Sequence, residues 1–184
     1  VPLNAVVHSR AALAVAQAAI LEQLAQWPQA ALCCDGRGQL GMIPIYAMPA
    51  ARLAAGQWNK GWRSGWRYYW THPDAPEGMT VEVMRVGNRG ARLISLSIGP
   101  AALVLAATLA QLAGEYASDK RRFRPRILRL PWIAMEAIWL NTDSLRVVDR
   151  FLSRLDDRQG DAFRREAMAR ARAFLRCSKQ RDKE

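Results

Sequence analysis

Apolar residues recur at three- and four-residue intervals over residues 4–26, through Val7, Ala11, Ala14, Ala18, Leu21 and Ala25. That spacing predicts a helix with this stripe turned inward, ended by Trp27-Pro28. Shorter apolar runs at Ala30 to Cys34 and Met42 to Met48 flank Asp35-Gly36-Arg37-Gly38, a turn composition, and read as strands. Pro49 to Gln57 has room for one or two helical turns. Three further strands are predicted over Trp62 to Thr71, Thr80 to Val86 and Ala91 to Ile98, the last two closed into a hairpin by Gly87-Asn88-Arg89-Gly90. Pro100 to Tyr116 reads as a buried helix with proline at its first position.

Arg126 to Leu140 is densely apolar, and its period does not decide between strand and helix. A long central strand bulged at Pro131 is favoured, with a helix starting at Pro131 as the competitor. Asp161 to Cys177 reads as a helix capped by Asp161, with Phe163, Ala167, Ala171 and Phe174 as its inner stripe. Together these elements predict an α+β single domain. A largely antiparallel sheet of five to six strands is packed by an N-terminal helix, a buried central helix and a basic C-terminal helix. The core domain is placed at 1–142, with 143–184 as a basic helical extension packed on it. The expected core includes Leu93, Ile94, Leu96, Leu103, Leu109, Leu130, Ile133 and Ile138.

Composition adds little to the fold and much to the question of partners. The 184 residues are 51% hydrophobic and 23% charged, which excludes an intrinsically disordered chain. Twenty-seven basic against 16 acidic residues give a net charge of +11. Arginine supplies 23 of the 27 and alanine numbers 31, a pairing that coding bias alone can inflate. The distribution is more telling: +3 over residues 1–117 and +8 over 118–184. An anionic partner at the C-terminal end is the expectation.

The 22 residues from Leu93 to Gly114 carry no charge, long enough to span a bilayer. Alternation of Ser95 and Ser97 with Ile94, Leu96 and Ile98, broken by Gly99-Pro100, argues instead for strand then helix, so no membrane span is expected. The N-terminal stretch carries His8, Arg10 and Glu22 and reads as a helix rather than a signal peptide. Cys33 and Cys34 are adjacent and Cys177 stands apart, so no disulfide framework is legible. A reducing, cytoplasmic location follows as the expectation.

Candidate chemistry is sparse. Gly36 to Gly41 matches the G-x-G-x-x-G pattern, but a strand-like Met42-Ile43-Pro44 follows where a phosphate-binding loop needs a helix. Cys34 with His72 is the available nucleophile–base pairing, and neither lies in a known nucleophile signature. Glu136 reads as an arginine partner before it reads as a tuned acid. Two histidines without ligand spacing supply no metal box. The enzyme reading is therefore disfavoured, with no catalytic residue, metal or cofactor expected.

Two features point to binding. Trp58, Trp62, Trp66 and Trp70 fall four apart. As a strand, Trp62, Ser64, Trp66, Tyr68 and Trp70 share one face, and Arg63 and Arg67 share the other. Such a face is either a base-stacking platform beside arginines or the buried face of a sheet, and aromatics at strand spacing more often form core. The second feature is basic: Lys120, Arg121, Arg122, Arg124 and Arg126 with Arg129, six cations in ten positions without an acid. On the C-terminal helix, Arg165, Arg172 and Arg176 form a second basic track opposite Phe163.

The favoured function is a non-catalytic basic accessory domain that binds nucleic acid or a nucleoprotein assembly through the phosphate backbone, without sequence specificity. The alternative is a protein-interaction module (an assembly subunit, adaptor or inhibitor) that docks on an acidic protein. There Trp27, Trp58 and Trp62 would serve as anchors and Arg63 and Arg67 as a rim.

Overall fold

A computed structural model describes residues 9–26, 36–58, 61–87, 90–117, 123–142, 150–153 and 160–181. Their order is α1 (Arg10–Gln26), β1 (Gln39–Ala47), α2 (Ala50–Ala54), β2 (Trp62–Thr71), β3 (Gly78–Val86) and β4 (Gly90–Gly99). Then follow α3 (Ala101–Glu115), β5 (Phe123–Leu130), a 3-10 turn (Pro131–Ile133), β6 (Met135–Thr142), β7 (Arg150–Ser153) and α4 (Gly160–Arg181). The strands run in the order β4-β3-β2-β1-β5-β6-β7. β1 and β5 are parallel, whereas β2–β3, β3–β4, β5–β6 and β6–β7 are antiparallel. The protein is α+β with a largely antiparallel sheet, as the sequence leads one to expect.

The chain divides into two compact units, Val1–Pro44 with Gly65–Lys120 and Ile45–Ser64 with Arg121–Glu184. β1 and β2 contribute residues to both, and the expected boundary at 142/143 falls inside the second unit. The short β7 lies within the segment expected to be helical. The expected strand at Ala30 to Cys34 and the hairpin tip Asn88-Arg89 lie outside the described residues.

In the first unit α1 lies against β3 and β4. Its buried residues are Ala12, Ala16, Ala19, Ile20 and Leu24, over Trp66, Tyr68, Trp70, Met79, Val81 and Val83. The stripe is one position off the expected one: Ala14, Ala18, Leu21 and Ala25 are exposed. Alanine occupies both faces of this helix, so its period carries little directional information. What decides the face is bulk on the sheet, because small side chains at Ala12 and Ala16 let the helix approach the tryptophans. Ser9 Oγ accepts the N–H of Ala12 at 3.4 Å, at the helix N-terminus. α3 packs on β3, where the missing side chain of Gly78 leaves room for Ala102; an added Cβ would stand 2.7 Å from the alanine's own.

β3 and β4 carry a register shift at Glu82/Val83, where β4 has one extra residue, Ile94. β4 ends the strand order, and the expected burial of Leu93 and Ile94 does not hold: they are 43% and 47% exposed. An edge strand has a neighbour on one side, so residues that would be covered in mid-sheet stay in solvent. Leu96, Leu103 and Ile133 are half-buried, and Leu109, Leu130 and Ile138 are buried as expected.

The second unit corrects the reading of Arg126 to Leu140. Neither one long strand nor a helix forms. β5 and β6 are a hairpin from Phe123↔Thr142 to Leu130↔Met135. Pro131 opens the 3-10 turn, and Ala134, at φ 51°, reverses the chain. α4 then packs on α2, β7 and the turn. Phe163, Ala167 and Ala171 form its buried stripe with Met48, Leu53, Leu128, Leu130, Ala137 and Trp139. Phe174 is 42% exposed but holds an edge of this cluster through Trp132, ring centroids 5.6 Å apart. The helix begins at Gly160, one residue before its expected cap Asp161. None of the described helices is both long and apolar enough to cross a membrane.

Candidate functional site

The aromatic segment resolves into core and surface. Trp66 and Tyr68 are 2% and 0% exposed beneath α1, so that face of β2 offers no stacking platform. The Tyr68 hydroxyl has no hydrogen-bond partner among the described residues, and burial pushes its pKa up to about 12. Burial raises the Tyr69 hydroxyl as well. Arg67 on the opposite face is buried against Glu82, its register partner, with Nε at 2.8 Å from Oε1. It is thus withdrawn from the rim expected of it. Arg63 is half-buried and engaged within the chain. Trp58 is half-buried between Phe163 (ring centroids 6.5 Å) and the Arg164 guanidinium (5.7 Å above the ring). Trp62 stands apart at 52% exposure, at the start of β2. Trp27 lies outside the described residues.

The basic run before β5 is split. Lys120, Arg121 and Arg122 lie outside the described residues. Arg124 is exposed and engaged within the chain. Arg126 stacks on Tyr46 and Trp139, 4.6 and 5.3 Å from the two ring centroids, because its register partner is Trp139. Arg129 is paired with Glu136 at 3.0 Å, in agreement with the reading of that glutamate as an arginine partner. Arg126 and Arg129 thus serve the sheet that carries them.

The C-terminal helix differs. At 100° per residue, Arg165, Arg172 and Arg176 fall within about 40° of one another, on the side opposite Phe163, Ala167 and Ala171. All three are exposed. Arg165 and Arg176 make no bond to another described residue. Arg172 uses Nε to donate to the Ala54 carbonyl at 3.3 Å, which fixes its stem and leaves four N–H donors. Glu166, whose charge would oppose them, sits on another face and is paired with Arg170. A rise of 1.5 Å per residue spaces the stripe at about 10 and 6 Å along the axis. The result is a rigid row of cations without an interleaved acid. Apolar burial of the other face holds it in place.

The nucleophile–base pairing of Cys34 with His72 falls partly outside the described residues, because Cys34 is not among them. His72 is buried, stacks on Trp70 with centroids 6.0 Å apart, and accepts the Asp74 N–H through Nδ1 at 3.1 Å. That imidazole organises a turn. Among the described residues, no three His, Cys, Asp or Glu side chains cluster as a metal site would require. What the sequence reading misses is the outer edge of β4, where large apolar residues meet solvent. Strand order is its cause, and no local residue pattern reports strand order. No known protein family, curated protein or solved structure matches the chain.

Proposed function

We propose that the protein binds the phosphate backbone of nucleic acid, without sequence specificity, through the Arg165–Arg172–Arg176 face of α4. The observation that supports this is the row itself: three exposed guanidinium groups on a helix fixed by its opposite face, with Glu166, the acid between Arg165 and Arg172 in sequence, paired with Arg170. Guanidinium forks suit phosphate oxygens geometrically, and each cation brought to a phosphate releases condensed counterions. The overall charge of +11 draws a polyanion toward the protein before contact. Exposed Trp62 is the remaining candidate for stacking on an unpaired base. The sequence carries no helix-turn-helix, zinc-finger or RNA-recognition signature, so on this reading charge carries the affinity.

The test is titration of a fluorescent mixed-sequence oligonucleotide, single- and double-stranded, at several salt concentrations. Phosphate binding predicts a steep loss of affinity with salt and little dependence on sequence. A polyglutamate chain of equal charge serves as the comparison. If polyglutamate binds as tightly as the oligonucleotide, the face fits an acidic protein rather than a nucleic acid.

A further inference from the structure

Along β4, large apolar residues meet solvent at a sheet edge. Ten residues long, β4 ends the strand order, and among the described residues no strand pairs with its outer backbone groups. Leu93, Ile94 and Ile98 are 43%, 47% and 37% exposed there. Natural edge strands are usually blunted by charge or proline, since a bare edge recruits further strands. β4 has neither from Leu93 to Gly99. The bulge at Ile94 is its one irregularity, and the pairing with β3 is regular from Ser95 to Gly99.

We propose that this edge pairs with the same edge of a second copy, antiparallel about a two-fold axis at Leu96. Charge selects the occupant. Two chains of +11 repel wherever their basic surfaces meet, and Leu93 to Gly114 is a 22-residue stretch without a charged side chain. A second copy can approach there without placing like charges together, and an acidic partner would gain nothing from it. An isologous contact also needs a patch complementary to itself. Centred on Leu96, the register places Ile94 opposite Ile98 of the partner subunit and Ser95 opposite Ser97 of the partner subunit. Apolar then meets apolar and hydroxyl meets hydroxyl. Arg92 falls opposite Pro100 of the partner subunit, which keeps the two Arg92 side chains eight residues apart, about 26 Å. That exceeds the Debye length of about 8 Å at physiological salt. Centring on Leu93 would instead set the arginines about 7 Å apart.

Sedimentation velocity on the whole chain, from about 1 to 100 µM, measures the association. Backbone hydrogen exchange of the 93–99 segment over the same range locates it. The expected result is a monomer–dimer equilibrium in which exchange of this segment slows as the dimer fills. Ile94→Lys and Ser95→Lys, both at exposed positions, should each weaken association by more than about tenfold. Leu21→Lys, on the exposed face of α1, should leave it unchanged. Association should strengthen with salt, because screening relieves repulsion, whereas oligonucleotide binding weakens; the two ideas therefore fail separately. A chain that remains monomeric across the range overturns the proposal. So does a dimer whose 93–99 exchange is unchanged, or one that survives both lysine substitutions.

Discussion

Arg67 on β2 and Glu82 on β3 stand opposite each other in the ladder and form an ion pair with side-chain exposures of 8% and 14%. Removing one member takes the register partner from a charge held in a desolvated site. Glu82→Leu is expected to destabilise the protein by about 3–5 kcal/mol, and Arg67→Met by a similar amount. The double replacement Arg67→Met with Glu82→Leu should recover most of the loss, since the desolvation cost disappears with both charges. Urea unfolding of the four proteins measures the cycle. Additive losses in the double variant would show that the pair is not coupled.

Tyr68 carries a buried hydroxyl with no hydrogen-bond partner among the described residues. Tyr68→Phe removes that group at constant shape and should stabilise the fold by about 1 kcal/mol at neutral pH. The folded pKa of about 12 lies above the ordinary value of 10.0, so the folded state holds its proton more tightly than the unfolded chain. The Tyr68 contribution to stability is therefore constant below pH 10 and falls as pH rises from 10 toward 12. Over that window wild type should lose roughly 2–3 kcal/mol more than Tyr68→Phe, which retains Tyr69. Denaturant melts at stepped pH measure it, and parallel pH profiles would refute the assignment.

Ala134 closes the β5–β6 hairpin at φ 51°, a conformation that costs a Cβ-bearing residue about 1 kcal/mol and glycine almost nothing. Ala134→Gly should raise the unfolding free energy by about 0.5–1 kcal/mol, and Ala134→Val should lower it by more. Thermal melts of the two variants decide the point. A destabilised Ala134→Gly would contradict the turn geometry.

This residue also marks where the sequence stops being legible. A glycine or asparagine at 134 would have announced the reversal, whereas alanine left Arg126 to Leu140 looking continuous. β2 was readable at both ends because aromatic residues alternate from Trp62 to Trp70 despite Gly65, and the run is bounded by Gly61 and His72-Pro73. α4 was readable because Phe163 and the arginines occupy opposite faces, so pattern and packing agree. α1 was readable as a helix but not as a face, since Ala12 and Ala14 are the same residue and burial alone separates them. Leu93 and Ile94 look like core in sequence, and their exposure follows from strand order, which depends on pairings distant along the chain. On the candidate site, the stripe of α4 and the pairing of Glu136 with an arginine were legible, and the commitment of Arg67 and Arg126 to internal partners was not.

Two glycines should respond oppositely to the same change. A Cβ at Gly65 would stand 2.3 Å from the Val83 carbonyl oxygen and 3.1 Å from Met84 Cα, both backbone atoms that cannot swing aside. Gly114, in the last turn of α3, has nothing within 4 Å of an added Cβ. Gly114→Ala should stabilise by about 0.5–1 kcal/mol through helix propensity. Gly65→Ala should destabilise by about 2 kcal/mol or more, because the β2–β3 ladder must shift. Calorimetric melts compare them, and equal responses would contradict the close approach at Gly65.

The central claim concerns Arg165, Arg172 and Arg176, and the slope of log affinity against log salt tests it most directly. Each phosphate neutralised on duplex DNA contributes about 0.9 to that slope. Replacing all three arginines by alanine should therefore reduce its magnitude by about 2 to 3, with circular dichroism showing α4 intact. A wild-type protein that binds a mixed-sequence duplex with a steep slope, and a triple variant whose slope is flattened by that amount, is the predicted result. An unchanged slope in the triple variant, or no binding by wild type at low salt, would contradict it.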